Sequence, residues 1–214
     1  MEINKSIIER NQDKINFWVA KESYKDLVNF VMSHLKTNKE AKVFDYSNLF
    51  NENCNNEEEC VNDYCVRTRI IKIATETCEL FCKALLIKNG KEWNELKSLG
   101  HNLLNCYNSL SDDDKLLIES FPMEMVSGIC SFYPMIITPP YCCEENYKSK
   151  YPDEYEKQLI DCLAPYSTGT PLSNIKSRYP GEDIVTSDAR FILGYTILLF
   201  SFCVTKKYID SNLE

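Results

Sequence analysis

The stretch Arg69 to Gly90, RIIKIATETCELFCKALLIKNG, limits the fold more than any other part of the chain. Ile70, Ala74, Thr77, Cys78, Phe81 and Leu85 recur at three- and four-residue spacing, which lines them along one helical face. Ile71, Cys82 and Leu86 widen that face, and Ile73, Leu80, Ala84 and Ile87 cover another side. Lys72, Glu76, Glu79 and Lys83 form the polar stripe, with Glu79 and Lys83 in the favourable i,i+4 order. The charges of that stripe cancel, so it reads as structural. Lys88 falls in the last turn and Gly90 at the C′ position, which marks a helix stop. A helix with so little polar surface needs neighbours on several sides. The stretch therefore predicts the central helix of an all-α bundle.

Its natural partner is a final helix capped by Thr186 or Ser187 and running to about Lys207. The apolar run Phe191 to Val204 is 14 residues long. A bilayer span needs about 18–20, and Gly194, Thr196 and Ser201 dilute this one. The run reads as a core helix, with no membrane association expected.

The remaining elements follow from caps and breaks. Ser6-Ile7-Ile8-Glu9 has the capping-box pattern and opens a helix carrying Ile7, Ile8, Ile15, Trp18 and Val19. Its continuation, or a second helix, lines up Tyr24, Leu27, Val28, Val31, Met32 and Leu35. Residues 45–63, DYSNLFNENCNNEEECVND, keep no apolar period and read as a solvated acidic loop. Lys91 to Gly100 reads as a connection anchored by Trp93. A short helix over His101 to Leu110 turns Leu103, Leu104, Tyr107 and Leu110 inward. Ser111 caps another, with Asp112, Asp113 and Asp114 near the positive end of its dipole. Residues 121–177 are broken by proline and form an irregular insertion. One helix stands out within it, Pro152 to Leu163, with Tyr155, Leu159, Ile160 and Leu163 on one side. The expectation is a single domain over 1–214: an up-and-down bundle of four or five main helices with that insertion.

A formal net charge of −8 disfavours a general nucleic-acid binder. The first residues, MEINKSIIERNQDK, are polar and lack the apolar core of a secretory signal. Cys78, Cys82 and Cys203 occupy core positions and the total of eleven cysteines is odd. Reduced thiols in a cytoplasm are expected, with cysteine serving as a small hydrophobe. Cys54, Cys60 and Cys65 lack the spacing of zinc pairs, and Cys142-Cys143 are adjacent, so no metal site is expected. The runs Glu57-Glu58-Glu59 and Asp112-Asp113-Asp114 are explained by a solvated loop and a helix start. The chain has no P-loop, GxGxxG, GxSxG or HExxH, and no cofactor is expected.

Three pieces in the right order carry a resemblance. They are the ending Lys83-Ala84-Leu85-Leu86-Ile87-Lys88-Asn89-Gly90, then Gly100-His101-Asn102-Leu103-Leu104 with Tyr107, Asn108 and Leu110, then Arg178-Tyr179-Pro180-Gly181 shortly before the Asp188-Ala189 helix start. The pattern resembles the HEPN family, helical-bundle domains named for nucleotide binding in higher eukaryotes and prokaryotes. The match covers about half the chain, and the spacer between Leu110 and Arg178 is far longer than the compact form of the family uses. The resemblance implies a homodimer through the last-helix region and a place in prokaryotic defence or toxin–antitoxin systems. Many members are ribonucleases with an Arg-(four to six residues)-His motif, which supplies a phosphate-binding cation and a proton-transfer imidazole. Here the last helix region has Arg178 and Arg190 but no histidine, and the chain's histidines, His34 and His101, follow no arginine at that spacing. The expectation is a non-catalytic module that binds a nucleotide or a protein. A displaced-site ribonuclease and an acidic protein docking on a basic partner are the alternatives. The candidate ligand-binding residues are Lys83, Lys88, His101, Arg178 and Tyr179. Arginine offers bidentate contacts to phosphate and tyrosine a stacking face, set against a simpler role of Arg178 in pairing with Glu182 or Asp183.

Overall fold

The computed structural model describes residues 7, 8, 10–34, 37–38, 43–44, 56–120, 152–163, 186–211 and 213. Helix α1 is Gln12–His34 and α2 is Glu57–Lys88. Three short helices follow: α3 Trp93–Leu99, α4 Leu103–Asn108 and α5 Asp112–Glu119. Helix α6 is Pro152–Leu163 and α7 is Thr186–Thr205. Two two-residue strands, β1 Thr37–Asn38 and β2 Val43–Phe44, pair antiparallel between α1 and α2. The fold is an all-α helical bundle. Among the described residues, no helix is long and apolar enough to cross a membrane.

Helix α2 is the axis, as its sequence requires, but it starts twelve residues before Arg69. Part of the expected acidic loop is therefore helix. Asn56 Oδ1 accepts the Glu59 N–H at 2.9 Å, and Glu57, Glu58 and Glu59 lie at the positive end of the helix dipole. The acidic run is a helix start. Residues 45–55 of that expected loop lie outside the described residues. The first turns of α2 also bury Asp63, which Arg67 neutralises at 2.7 Å. At its far end α2 stops where expected. Gly90 takes φ 90°, and the Lys91 N–H reaches back to Leu86 O at 2.9 Å.

Helix directions follow from residue pairs. Ser23 meets Thr77 and Asp13 meets Lys88, so α1 runs antiparallel to α2. Thr196 meets Cys78 and Phe200 meets Phe81, so α7 runs parallel to α2. Each long helix supplies one ring to the centre. Tyr24 and Phe200 stack at 4.1 Å, and Phe81 stands edge-on to both at 6.4 Å. Helix α7 is buried without a break from Phe191 to Cys203. Helices α4, α5 and α6 also pack on it, with Tyr107 against Tyr195 and Tyr155 against Phe191.

One expected anchor and one apolar stripe of the first helix are not in the core. Trp93 is 47% exposed, and the segment it was expected to anchor is helix α3, held by Leu96 at 2% exposure. Along α1 the buried face is Phe17, Ala20, Tyr24, Leu27 and Val31. Ile7, Ile8, Ile15, Trp18 and Val19 are exposed. The rest of the expected 121–177 insertion, apart from α6, lies outside the described residues.

The core sets up two contrasting substitutions. Phe200→Ala removes the ring that links all three long helices and should cost about 3–5 kcal/mol in urea unfolding. Tyr195 is fully buried and its hydroxyl has no hydrogen-bond partner among the described residues. Tyr195→Phe should therefore hold stability unchanged or raise it by about 1 kcal/mol; a loss of that size would reveal a partner for the hydroxyl.

Candidate functional site

Two of the expected site residues converge. Lys83 Nζ donates to Glu79 Oε1 at 2.6 Å and to Gly100 O at 2.7 Å. His101 Nδ1 lies 3.0 Å from the same Glu79 oxygen. Glu79, assigned to a polar stripe by its spacing, is only 8% exposed, because the turn between α3 and α4 folds over it. Gly100 makes that turn at φ 61°, a backbone conformation that a Cβ would strain. Asn102 then caps α4 by accepting the Asn105 N–H at 3.0 Å. The knot ties the turn to α2. It consumes the lysine, since two acceptors already hold the ammonium. The His101 side chain is 84% exposed.

Lys88 sits at the other end of this half of α2 and has a different job. Its Nζ is 3.6 Å from Asp13 and 5.6 Å from the centre of the Tyr208 ring. Tyr208 packs on Phe17, and Lys21 bonds Asp210, so these residues fasten the chain after α7 onto the start of α1. Arg178 and Tyr179 lie outside the described residues.

The structure also shows a feature that spacing did not single out. A groove of about 690 Å³ runs between α1 and α2. Val19, Phe30, Ile73 and Leu80 supply its apolar surface, and Trp18 lines it while remaining 63% exposed. Ser23 Oγ and Thr77 Oγ1, 2.7 Å apart, join the two helices beside it, and Thr77 donates on to Ile73 O at 2.8 Å. Glu22 and Asp26 line the groove from α1, and Arg69, Lys72 and Glu76 from α2. None of these five charged side chains has an ion pair or hydrogen bond among the described residues. On the same two helices Asp13 pairs with Lys88, Asp63 with Arg67, and Glu79 with Lys83. The sequence did hold a signal for the groove. Ile8, Ile15, Val19, Glu22 and Asp26 repeat at seven-, four-, three- and four-residue spacing, away from the buried face of α1.

The groups with reactive potential in the interior are held inert. Cys78, Cys82, Cys106 and Cys203 are buried free thiols. Burial pushes Cys78 up to about 12, although the Thr196 hydroxyl 3.0 Å away works against the rise. Burial raises Cys106 to about 11, and it raises Cys82 and Cys203 as well. Tyr107 donates to Glu119, and burial together with that acceptor holds its hydroxyl protonated. Among the described residues no three His, Cys, Asp or Glu side chains gather as a metal site requires. Comparison of the chain with protein-family models, with curated proteins and with solved structures returned no match.

Two outcomes follow from these placements. Lys83→Met leaves the Glu79 carboxylate with His101 alone and releases the Gly100 carbonyl. It should cost about 2–3 kcal/mol in urea unfolding, and Glu79→Gln in the same chain should recover part of that loss. For the cysteines, the folded thiols ionise at higher pH than unfolded ones, whose ordinary value is 9.0. Their contribution to stability is whole below pH 9 and falls as the pH rises towards 12. The thermal midpoint should decline over that window. At pH 8, peptide mapping after iodoacetamide treatment should find Cys60 and Cys65 alkylated and the four buried cysteines protected until the chain is unfolded.

Proposed function

We propose that this chain is a non-catalytic, HEPN-like helical module that acts by binding a protein, with the α1–α2 groove as its contact surface. One observation carries the reading: an exposed tryptophan lines a groove whose five charged side chains have no partner among the described residues. Tryptophan and arginine are the residue types on which interface energy concentrates, and Trp18 and Arg69 stand at this groove. Unpaired charges of both signs around an apolar floor are the rim-and-core arrangement of a protein contact. The family part of the reading is supported by the order of the three sequence motifs and by the long packing of the last helix along the central one.

The nucleotide reading has less support, because Lys83 is committed to Glu79 and Gly100 and Lys88 to Asp13 and Tyr208. The ribonuclease reading gains nothing from the histidines. His34 Nδ1 is held 2.8 Å from Phe30 O and 2.9 Å from Ser33 Oγ, and His101 leans on Glu79. An acidic docking loop is weakened by the use of Glu57 to Glu59 as a helix start. Buried, protonated thiols support a reducing cytoplasm as the setting. A role in prokaryotic defence or toxin–antitoxin systems rests on the resemblance alone.

The test is site-specific photocrosslinking in cells that express the full chain. Benzoylphenylalanine placed at Trp18 should yield a covalent protein adduct, whereas the same group at Trp93, exposed but outside the groove, should yield none. Equal adducts from both positions, or none from Trp18, would sink the reading. A panel of nucleoside mono-, di- and triphosphates should leave the thermal midpoint unmoved.

A further inference from the structure

We propose that the groove's occupant is the same surface of a second copy of this chain, in a two-fold dimer that crosses α1 of each copy over α2 of the other. The inference rests on the reading of the groove as a protein contact surface and names its partner.

The charges argue for self-association. Glu22 and Asp26 stand on α1, and Arg69 and Lys72 on α2, with Glu76 beside them. A strongly acidic or strongly basic partner would meet like charge on one wall or the other. A two-fold contact removes that conflict, because the same patch occurs on both sides with its ends exchanged. Glu22 and Asp26 then face the partner's Arg69 and the partner's Lys72, and the reverse pair forms by symmetry. Two bases against three acids leave the patch close to neutral, although the whole chain carries −8. The groove is thus a place where two acidic chains can meet without strong repulsion.

The shape argues the same way. An isologous contact needs both a knob and a hole on one surface. Trp18 is the knob, and the groove floor of Val19, Phe30, Ile73 and Leu80 is the hole. The apolar patch also extends beyond the groove. Five of the nine exposed large hydrophobics among the described residues, Ile7, Ile8, Ile15, Trp18 and Val19, lie on or just before α1. That extension matters, because a stable contact buries about 800 Å² on each partner. Helix α7, by contrast, is already covered from Phe191 to Cys203 within one chain and leaves no comparable apolar face. The proposed face lies on α1 and α2, apart from the buried stretch of α7 from Phe191 to Cys203.

Sedimentation analysis of the full chain at micromolar concentration should give a mass near twice 24.9 kDa. Trp18→Ala should weaken the dimer by about tenfold or more. The decisive arm is a charge exchange. One chain carries Glu22→Lys and Asp26→Lys, and a second carries Arg69→Glu and Lys72→Glu. Each alone places like charges across the two-fold and should run as a monomer. An equimolar mixture restores both sets of opposite pairs and should run as a heterodimer with affinity within about threefold of the wild type. Circular dichroism and thermal melting confirm that each variant is folded. A monomeric wild-type chain overturns the proposal, as does a dimer that survives Trp18→Ala and both charge variants, or a mixture of folded variants that stays monomeric. The crosslink at Trp18 separates the two levels. A self-adduct supports both, an adduct to a different protein keeps the contact surface and removes the second copy, and no adduct removes both.

Discussion

Three rings hold the long helices in one place. Tyr24 of α1, Phe81 of α2 and Phe200 of α7 meet with one stacked and two edge-on contacts. With the Thr196–Cys78 contact one turn away, they place α7 parallel to α2, with α1 antiparallel to both. Parallel neighbours cannot be joined by a tight turn, so the chain needs a return path between residues 88 and 186. Helices α3 to α6 lie on that path, and they do a second task on the way. Helices α4, α5 and α6 pack on α7 where α1 and α2 do not, with Tyr107 against Tyr195 and Tyr155 against Phe191. A helix as apolar as α7 would otherwise expose a surface that promotes aggregation. The small helices are thus a consequence of the parallel pair.

The sequence was most legible where one periodic signal stood alone. The C-terminal half of α2, its stop at Gly90, the cap at Ser111 and the helix from Pro152 all lie where their patterns put them. It was less legible where two signals competed. Residues 57–63 read as part of an acidic loop because Asn and Glu dominate the stretch 45–63, yet the spacing from Asn56 to Glu59 is that of a side-chain cap. Asp63 breaks the apolar period, and the Arg67 side chain four residues on pairs with it. Helix α1 carries two apolar stripes on opposite faces. Nothing local decides which one is buried, because both satisfy helical spacing; the decision belongs to α2 and α7, which cover the stripe through Tyr24.

The candidate site divides on the same lines. Lys83 and His101 were visible as polar residues near a helix end, but their convergence on one Glu79 oxygen depends on the Gly100 turn. The structure turns two ligand candidates into a fastening. The groove was visible in the sequence only as a second stripe along α1, not as a site. Its charged residues look like any solvated stripe in sequence; that they flank an apolar floor, with no ion pair among the described residues, is a property of the assembled helices. Stripe membership predicted a self-neutralising row. Glu79 and Lys83 do pair, under the α3–α4 turn, while Lys72 and Glu76 stayed outside with Arg69.

That division bears on how a fold of this kind serves binding. The groove walls are the two most extensively packed helices of the bundle, tied beside it by Ser23 and Thr77 and at one end by Lys88 and Asp13. A surface built on such a scaffold loses little conformational freedom when it is covered, so more of the contact energy appears as affinity. The polar knot at Glu79 adds to that rigidity from the side of α3 and α4. Its lysine serves binding indirectly, by holding a turn, and a resemblance in motif therefore carries over as architecture more readily than as ligand chemistry. The residues left to act are those the architecture does not use: Trp18 and the unpaired charges around it.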